Sequence, residues 1–296
     1  MIIVGFGDGL GNQMFQYAFY KAMKKKYSNN DVKMDICYVY GPPVHNGFEL
    51  DNIFSIQKNI SGHYDAVKLA DYFPKYMKRY YLPNKLQSMR RLLFGVKESY
   101  IHPDDPTEFY PEVFELNSLK SYYLRGNWIN EKYFKDFKSE LVKEFSFKKD
   151  LTLVNENYRK EMIRNNSVAI HLRRGDYLGT ILKELNLDYY KRAIDIIERS
   201  IENPLYFIFS DNKMIAEKEF EFLEHKIIVE GNKDRYSYID MQLMSCCKHN
   251  IIANSTFSFW GAYLNSNVNK IVIAPDKASE RWNNAFACDD WILLEV

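Results

Sequence analysis

Apolar residues in this chain fall into short runs separated by longer stretches of helical period. Met1 to Gly5 is apolar and stops at glycine, after which Gly5, Gly7, Gly9 and Gly11 alternate with other residues. From Asn12 onward Met14, Phe15, Ala18, Phe19, Ala22 and Met23 mark one face of a helix. The pattern predicts strand, glycine turn and helix, then a second strand near Val32–Cys37. Tyr122–Trp128 reads as a strand, Glu131–Phe145 as an amphipathic helix, and Lys148–Tyr158 as a polar join between two halves. Beyond the join the alternation is regular. Strands are expected at 167–172, 205–209, 226–229, 250–253 and 270–274, with helices at 187–201, 213–223, 236–247 and 257–265. Short apolar strands alternating with helices predict an α/β fold whose parallel sheet is covered on both faces. Ligands of such sheets sit beyond the carboxyl ends of the strands. Residues 40–110, broken by Pro42, Pro43, Pro74, Pro83, Pro103 and Pro106, give no regular pattern.

At 296 residues, with 46% hydrophobic and 27% charged, the chain can bury a core in one large domain or two ordinary ones. Forty Lys and Arg against 39 Asp and Glu leave a net charge of +1, so nothing global draws it to nucleic acid or anionic membrane. Locally the balance breaks: residues 75–97 hold seven Lys or Arg and no acid. That stretch reads either as an acceptor or peripheral membrane contact, or as a solvated helix face. The aromatic content of 16% fits carbohydrate stacking or a Tyr-rich core. Cys37, Cys246, Cys247 and Cys288 are too few and scattered for a disulfide framework and suit a reducing compartment. The N-terminal residues lack the pattern of a signal peptide, and no apolar run approaches the roughly 18 residues of a transmembrane helix. A cytoplasmic protein without a transmembrane segment is expected.

Four segments stand where ligand loops belong. Gly9-Leu10-Gly11-Asn12-Gln13 opens the first helix; it is either a tight turn or a place where backbone amides meet a ligand. The dinucleotide pattern GxGxxG fails, because the third glycine would fall at Leu10 or Asn12. His171-Leu172-Arg173-Arg174-Gly175-Asp176-Tyr177 leaves a buried strand, with His171 and Arg173 on one face. Arginine there suits a bidentate grip on phosphate, or an Arg–Asp pair pinning a loop. Arg174-Gly175-Asp176 spells an integrin tripeptide, which the adjoining buried strand and missing secretion signal argue against. Ser210, Asp211 and Asn212 follow another strand and either cap the next helix or touch a nucleotide. Asn254, Ser255, Thr256 and Phe257 open a helix, where hydroxyls and amides form a phosphate cradle or simply a cap. No D-x-D triplet occurs, and no H-x-x-x-H pair has a nearby third ligand, so no metal site is expected.

Taken together, GLGNQMFQYA at 9–18, HLRRGDY at 171–177, FIFSDN at 207–212 and the block Asp240–Tyr263 resemble the α-1,2-fucosyltransferases of glycosyltransferase family 11, bacterial type. The resemblance covers both ends of the chain and is weakest in 40–110. It implies a GT-B-like α/β architecture of two Rossmann-like domains facing across a cleft. The expected division is 1–155 on the acceptor side and 156–296 on the GDP-fucose side. It also implies inverting, metal-independent transfer of L-fucose from GDP-β-L-fucose to the 2-hydroxyl of a terminal galactose, with no cofactor beyond the donor.

By the same resemblance Arg173 lies on the donor diphosphate with His171 beside it. Ser255, Thr256 and Phe257 also contact phosphate, and Asp240 reads guanine. Asn12 and Gln13 face the transferred sugar, and the segment readings add Gly9, Gly11, Ser210, Asp211 and Asn254 to the donor site. Asp176 leads the candidates for the base, with His171 and Asp8 behind it. Another GDP-sugar transferase and a non-catalytic glycan-binding protein are the rival readings.

Overall fold

A computed structural model describes residues 1–36, 46–70, 89–174 and 185–296. Cys37 and the end of the HLRRGDY motif, with the candidate base Asp176, lie outside the described residues. The chain divides into two compact units, Met1–Ser146 and Phe147–Val296. The division expected after residue 155 falls inside a helix, Leu153–Arg164, which Thr152 caps by accepting from the Asn155 amide. That helix packs against β5 (Asn166–Leu172) of the second unit, so the supposed polar join belongs to it.

The first unit is built on a parallel sheet of β1 (Ile2–Gly5), β2 (Val32–Asp35), β3 (Tyr100–Ile101) and β4 (Tyr122–Arg125), in the order β2-β1-β4-β3. Every residue of β1 is buried, as a strand covered on both faces requires. Helix Leu10–Lys26 buries the whole expected stripe, and Lys24, Lys25 and Lys26 in its last turn oppose the negative end of its dipole. Gly5 is needed for close approach: a Cβ there would stand 2.8 Å from the Tyr123 hydroxyl. That hydroxyl donates to Asp35 Oδ2 at 2.8 Å.

Two expectations in this unit need correction. The strand expected to reach Trp128 ends at Arg125, because Gly126 packs against Pro103 and Trp128 turns to a φ of 52°. Trp128 then stacks on Phe19 at 4.0 Å. The helix expected over Glu131–Phe145 is two 3-10 turns, Glu131–Tyr133 and Lys135–Phe137, followed by helix Lys138–Glu144. Full burial of Phe134 against Phe15 sets the chain direction there and overrides local helical propensity.

The second unit carries a six-stranded parallel sheet in the order β10-β9-β8-β5-β6-β7. Its other strands are β6 (Pro204–Ser210), β7 (Lys226–Ile228), β8 (His249–Ile251), β9 (Val272–Pro275) and β10 (Ile292–Leu294). The chain lays down β5, β6 and β7 in one direction, then crosses back to set β8 on the other side of β5. Helices Leu187–Ser200, Lys213–Glu219, Tyr238–Cys246 and Thr256–Tyr263 form the crossovers. Tyr189, Tyr190, Ala193, Ile194 and Ile197 of the first of these bury against Val168, Ile170, Ile208 and Ile251. The reversal beside β5 is the topological switch point, and a crevice opens there beyond the strand ends.

Most of the aromatic surplus resolves as core: Trp128, Trp260, Tyr17, Tyr20, Tyr123, Tyr189, Tyr190, Tyr206, Tyr263, Phe6 and Phe15 are fully buried. No helix among the described residues is long and apolar enough to cross a membrane.

Candidate functional site

At the switch point of the second unit lies a cavity of ≈ 590 Å³. β5 delivers His171 and, just past its end, Arg173. Period-two alternation puts these two on one side. The His171 carbonyl accepts from the Tyr190 hydroxyl at 3.0 Å, and its ring lies 5.9 Å from that of Phe257, in the first turn of helix Thr256–Tyr263. Ser210 and Asp211 reach the cavity from the end of β6, and Asp240 from the first turn of helix Tyr238–Cys246.

Arg174 has a different environment. It is buried, donating to Glu219 through Nε at 3.0 Å and Nη2 at 2.7 Å, while Nη1 donates to the Leu185 carbonyl at 2.6 Å. Its backbone amide donates to Asp211 Oδ1 at 3.2 Å. Arg174 is therefore held by an Arg–Glu pair, and Asp211 holds its backbone. The cap of helix Lys213–Glu219 is Asn212, whose side chain accepts from the Ile215 amide at 3.2 Å.

Asp240 is the most perturbed carboxyl at the site. Burial pushes its pKa up to about 7, opposed by a hydrogen bond from Asn232 Nδ2 at 2.8 Å. Asn232 also exchanges reciprocal amide bonds of 2.9 and 3.0 Å with Asn155. The Asp240 carboxyl is thus held in place by a polar chain while it faces a poorly solvated pocket. Such a group can accept from a ligand that supplies donors.

Several sequence-expected residues fall elsewhere. Gln13 is fully buried: Nε2 donates to the carbonyls of Asp8 at 2.9 Å and Gly47 at 2.8 Å, and Oε1 accepts from the Glu49 amide at 3.0 Å. Its amide braces the backbone at Asp8, Gly47 and Glu49. Asn254 is buried and donates to the Ala278 carbonyl at 3.0 Å, and Ser255 is buried as the cap of its helix. Neither lines the cavity, because each is spent on local structure, and Thr256 does not line it either. Gly9, Gly11 and Asn12 belong to the first unit, at the start of helix Leu10–Lys26, with Asp8 before them at a φ of 61°.

The residues missed from sequence form the loop after β7. Glu230, Gly231, Asn232, Lys233 and Asp234 line the cavity, with Lys213 held to Glu230 at 2.5 Å. The signal the sequence offers is Gly231 just past an apolar run, a glycine that the structure places at a φ of 97°. Among the described residues no group of three or more His, Cys, Asp or Glu side chains could hold a metal ion. In the first unit a second cavity of ≈ 570 Å³ lies at the ends of β3 and β4, lined by Arg91, Val96, Tyr100, His102, Asp104 and Arg125.

The profile of glycosyl transferase family 11 matches residues 1–295. The chain belongs to glycosyltransferase family 11. An Escherichia coli protein named O-antigen biosynthesis glycosyltransferase WbnK is 32% identical, over 97% of this chain and 98% of its own. A second, named α-1,2-colitosyltransferase and also from Escherichia coli, is 30% identical over 100% and 99%. Among solved structures, the NodZ α-1,6-fucosyltransferase of Bradyrhizobium aligns with a TM-score of 0.52 at 13% identity, over 89% of this chain and 92% of that one. These likenesses show a GT-B-like fold of two parallel-sheet α/β units and a glycosyltransferase of the α-1,2 fucosyltransferase-like group.

Proposed function

We propose that this family 11 enzyme transfers L-fucose from GDP-β-L-fucose, with inversion, to the 2-hydroxyl of a terminal galactose. The observation that carries the reading is the meeting of Arg173, Phe257 and Asp240 in one cavity at the switch point of the second unit. A carboxylate accepts the N1–H and N2–H₂ donors that guanine presents together and adenine and uracil do not. A guanidinium at the strand end offsets the charge that grows on the β-phosphate as the bond to the fucosyl carbon breaks. The helix beginning at Thr256 adds its positive end. Ser210 and Asp211 complete the donor side, and His171 stands beside the diphosphate.

The acceptor oxygen attacks the anomeric carbon from the face opposite GDP, through an oxocarbenium-like transition state by analogy with glycoside chemistry. Its proton passes to a base, for which Asp176 is the assignment. The acceptor falls to the first unit, whose cavity offers an aromatic ring and polar groups, a mixture suited to sugar. No metal is required in this reading, because Arg173 and the helix end supply fixed positive charge.

The whole-length relative named α-1,2-colitosyltransferase favours a second reading, a GDP-colitose donor. Colitose is fucose without its 3-hydroxyl, so the two readings share the nucleotide site and differ at one group on the sugar. Turnover measured with each donor against a panel of β-galactosides decides. Efficient transfer from GDP-fucose with an α-1,2 product supports the first reading, and a strong preference for the 3-deoxy donor supports the second.

A further inference from the structure

Residues 89–94 are helical and end at Gly95, whose φ of 72° places it in the left-handed region; its amide donates to the Arg91 carbonyl at 3.0 Å. The segment buries almost nothing. Leu92 is 88% exposed, Phe94 76% and Leu93 71%, with Met89 and Val96 more than half exposed on either side. Elsewhere among the described residues at most three exposed large hydrophobics fall within eight positions; here five do. A soluble surface does not gather such side chains without something to cover them.

The charge around the patch says what covers it. Arg90 and Arg91 lie in the same segment, Lys97 donates to the carbonyls of Lys68 at 2.9 Å and Ala70 at 3.1 Å, and the sequence from 75 to 97 carries seven basic residues and no acid. Exposed apolar side chains flanked along the chain by arginines match a bilayer interface. There the apolar groups enter the acyl boundary and the cations meet anionic headgroups. A second copy of the same patch would set basic residues against basic residues. We infer that residues 89–97 are a docking surface for an anionic lipid bilayer. Arg91 and Val96 of this segment also line the cavity of the first unit, so that cavity sits beside the docking surface.

Vesicle sedimentation of the full chain tests this. Vesicles of phosphatidylcholine with about a third phosphatidylglycerol should bind the protein. Pure phosphatidylcholine should bind it at least tenfold more weakly, since each basic residue near an anionic surface is worth roughly fivefold in partitioning. Binding should weaken as salt is raised. The triple variant Leu92→Ser, Leu93→Ser, Phe94→Ser should lose at least tenfold in binding to the mixed vesicles. Its circular dichroism and its transfer to a short soluble acceptor should stay unchanged. Failure to sediment with anionic vesicles, or equal binding by the triple variant, would overturn the inference. So would a dimer in gel filtration that the triple variant abolishes while vesicle binding is absent, which would assign the patch to a second copy. A wild-type protein that binds anionic vesicles but does not transfer fucose would count against the proposed function and leave the docking surface standing.

Discussion

The guanidinium of Arg174 closes on the carboxylate of Glu219 through two parallel hydrogen bonds of 3.0 and 2.7 Å, while its sequence neighbour Arg173 lines the cavity. Adjacent arginines on opposite sides of a strand end thus have separate tasks. Arg174→Ala leaves Glu219 without its cation and the Leu185 carbonyl without its donor. Removing one partner of a buried pair costs about 3–5 kcal/mol, and partial exposure of Glu219 puts the expected loss near 2–3 kcal/mol. Urea unfolding measures it. The double variant Arg174→Met, Glu219→Leu should recover much of the loss, and a double variant as unstable as the single one would mean the loss does not come from the unpaired Glu219.

For Arg173 the expected loss is in rate. Removing one preorganised donor to a developing charge typically costs about 10²–10³, or roughly 3–4 kcal/mol. Lysine keeps the charge but not the fork, so Arg173→Lys and Arg173→Ala should both abolish most transfer with circular dichroism unchanged. If Arg173→Lys keeps more than about a tenth of wild-type kcat/KM, a loss under ~1.4 kcal/mol, the diphosphate clamp belongs to another residue.

Gln13 offers a separate check on a residue expected in the sugar site. Gln13→Glu is isosteric but turns two donors into acceptors facing the carbonyls of Asp8 and Gly47. Each buried group left unsatisfied costs about 1–3 kcal/mol, so a loss of roughly 2–5 kcal/mol is expected in thermal or urea unfolding. KM for the donor, measured on the folded fraction, should hardly change. A variant of normal stability with a raised donor KM would restore Gln13 to the site.

What could be read from the sequence followed periodicity. The stripe Met14 to Met23 and the strands β5 to β9 announce themselves because one face or two must be buried. The short strands β3 and β10, of two and three residues, carry no period to read. The turns within 131–137 depend on where Phe134 finds its pocket, which is a tertiary fact. At the site, residue type identified the cavity-lining His171, Arg173 and Asp240, because charge at a strand or helix end is costly without a partner. It could not show that Asn254 donates to the Ala278 carbonyl or that Ser255 caps its helix. Nor could it show that the loop after β7 folds over the same cavity.

In the proposed function Asp240 joins stability to nucleotide binding through pH. Burial raises its pKa to about 7 in the folded protein, against about 4 in the unfolded chain. Below pH 4 both states are protonated and the site costs nothing. Between 4 and 7 the unfolded chain releases a proton that the folded one keeps, so stability falls as pH rises; above 7 the full penalty is present. Its upper bound is about 4 kcal/mol. Asp240→Asn keeps an acceptor for Asn232 and removes the charge, so it should stabilise the protein at pH 8 and have little effect at pH 4. Guanine needs the ionised form, and GDP affinity of the wild type should therefore fall as pH drops below 7. Asp240→Asn should bind GDP about 1.5–3 kcal/mol more weakly at pH 8, the usual range for a hydrogen bond to a charged group. Calorimetry with GDP and urea unfolding at the two pH values separate the alternatives. A variant that is destabilised at pH 8 and binds GDP normally would make Asp240 a helix N-terminal carboxylate and nothing more.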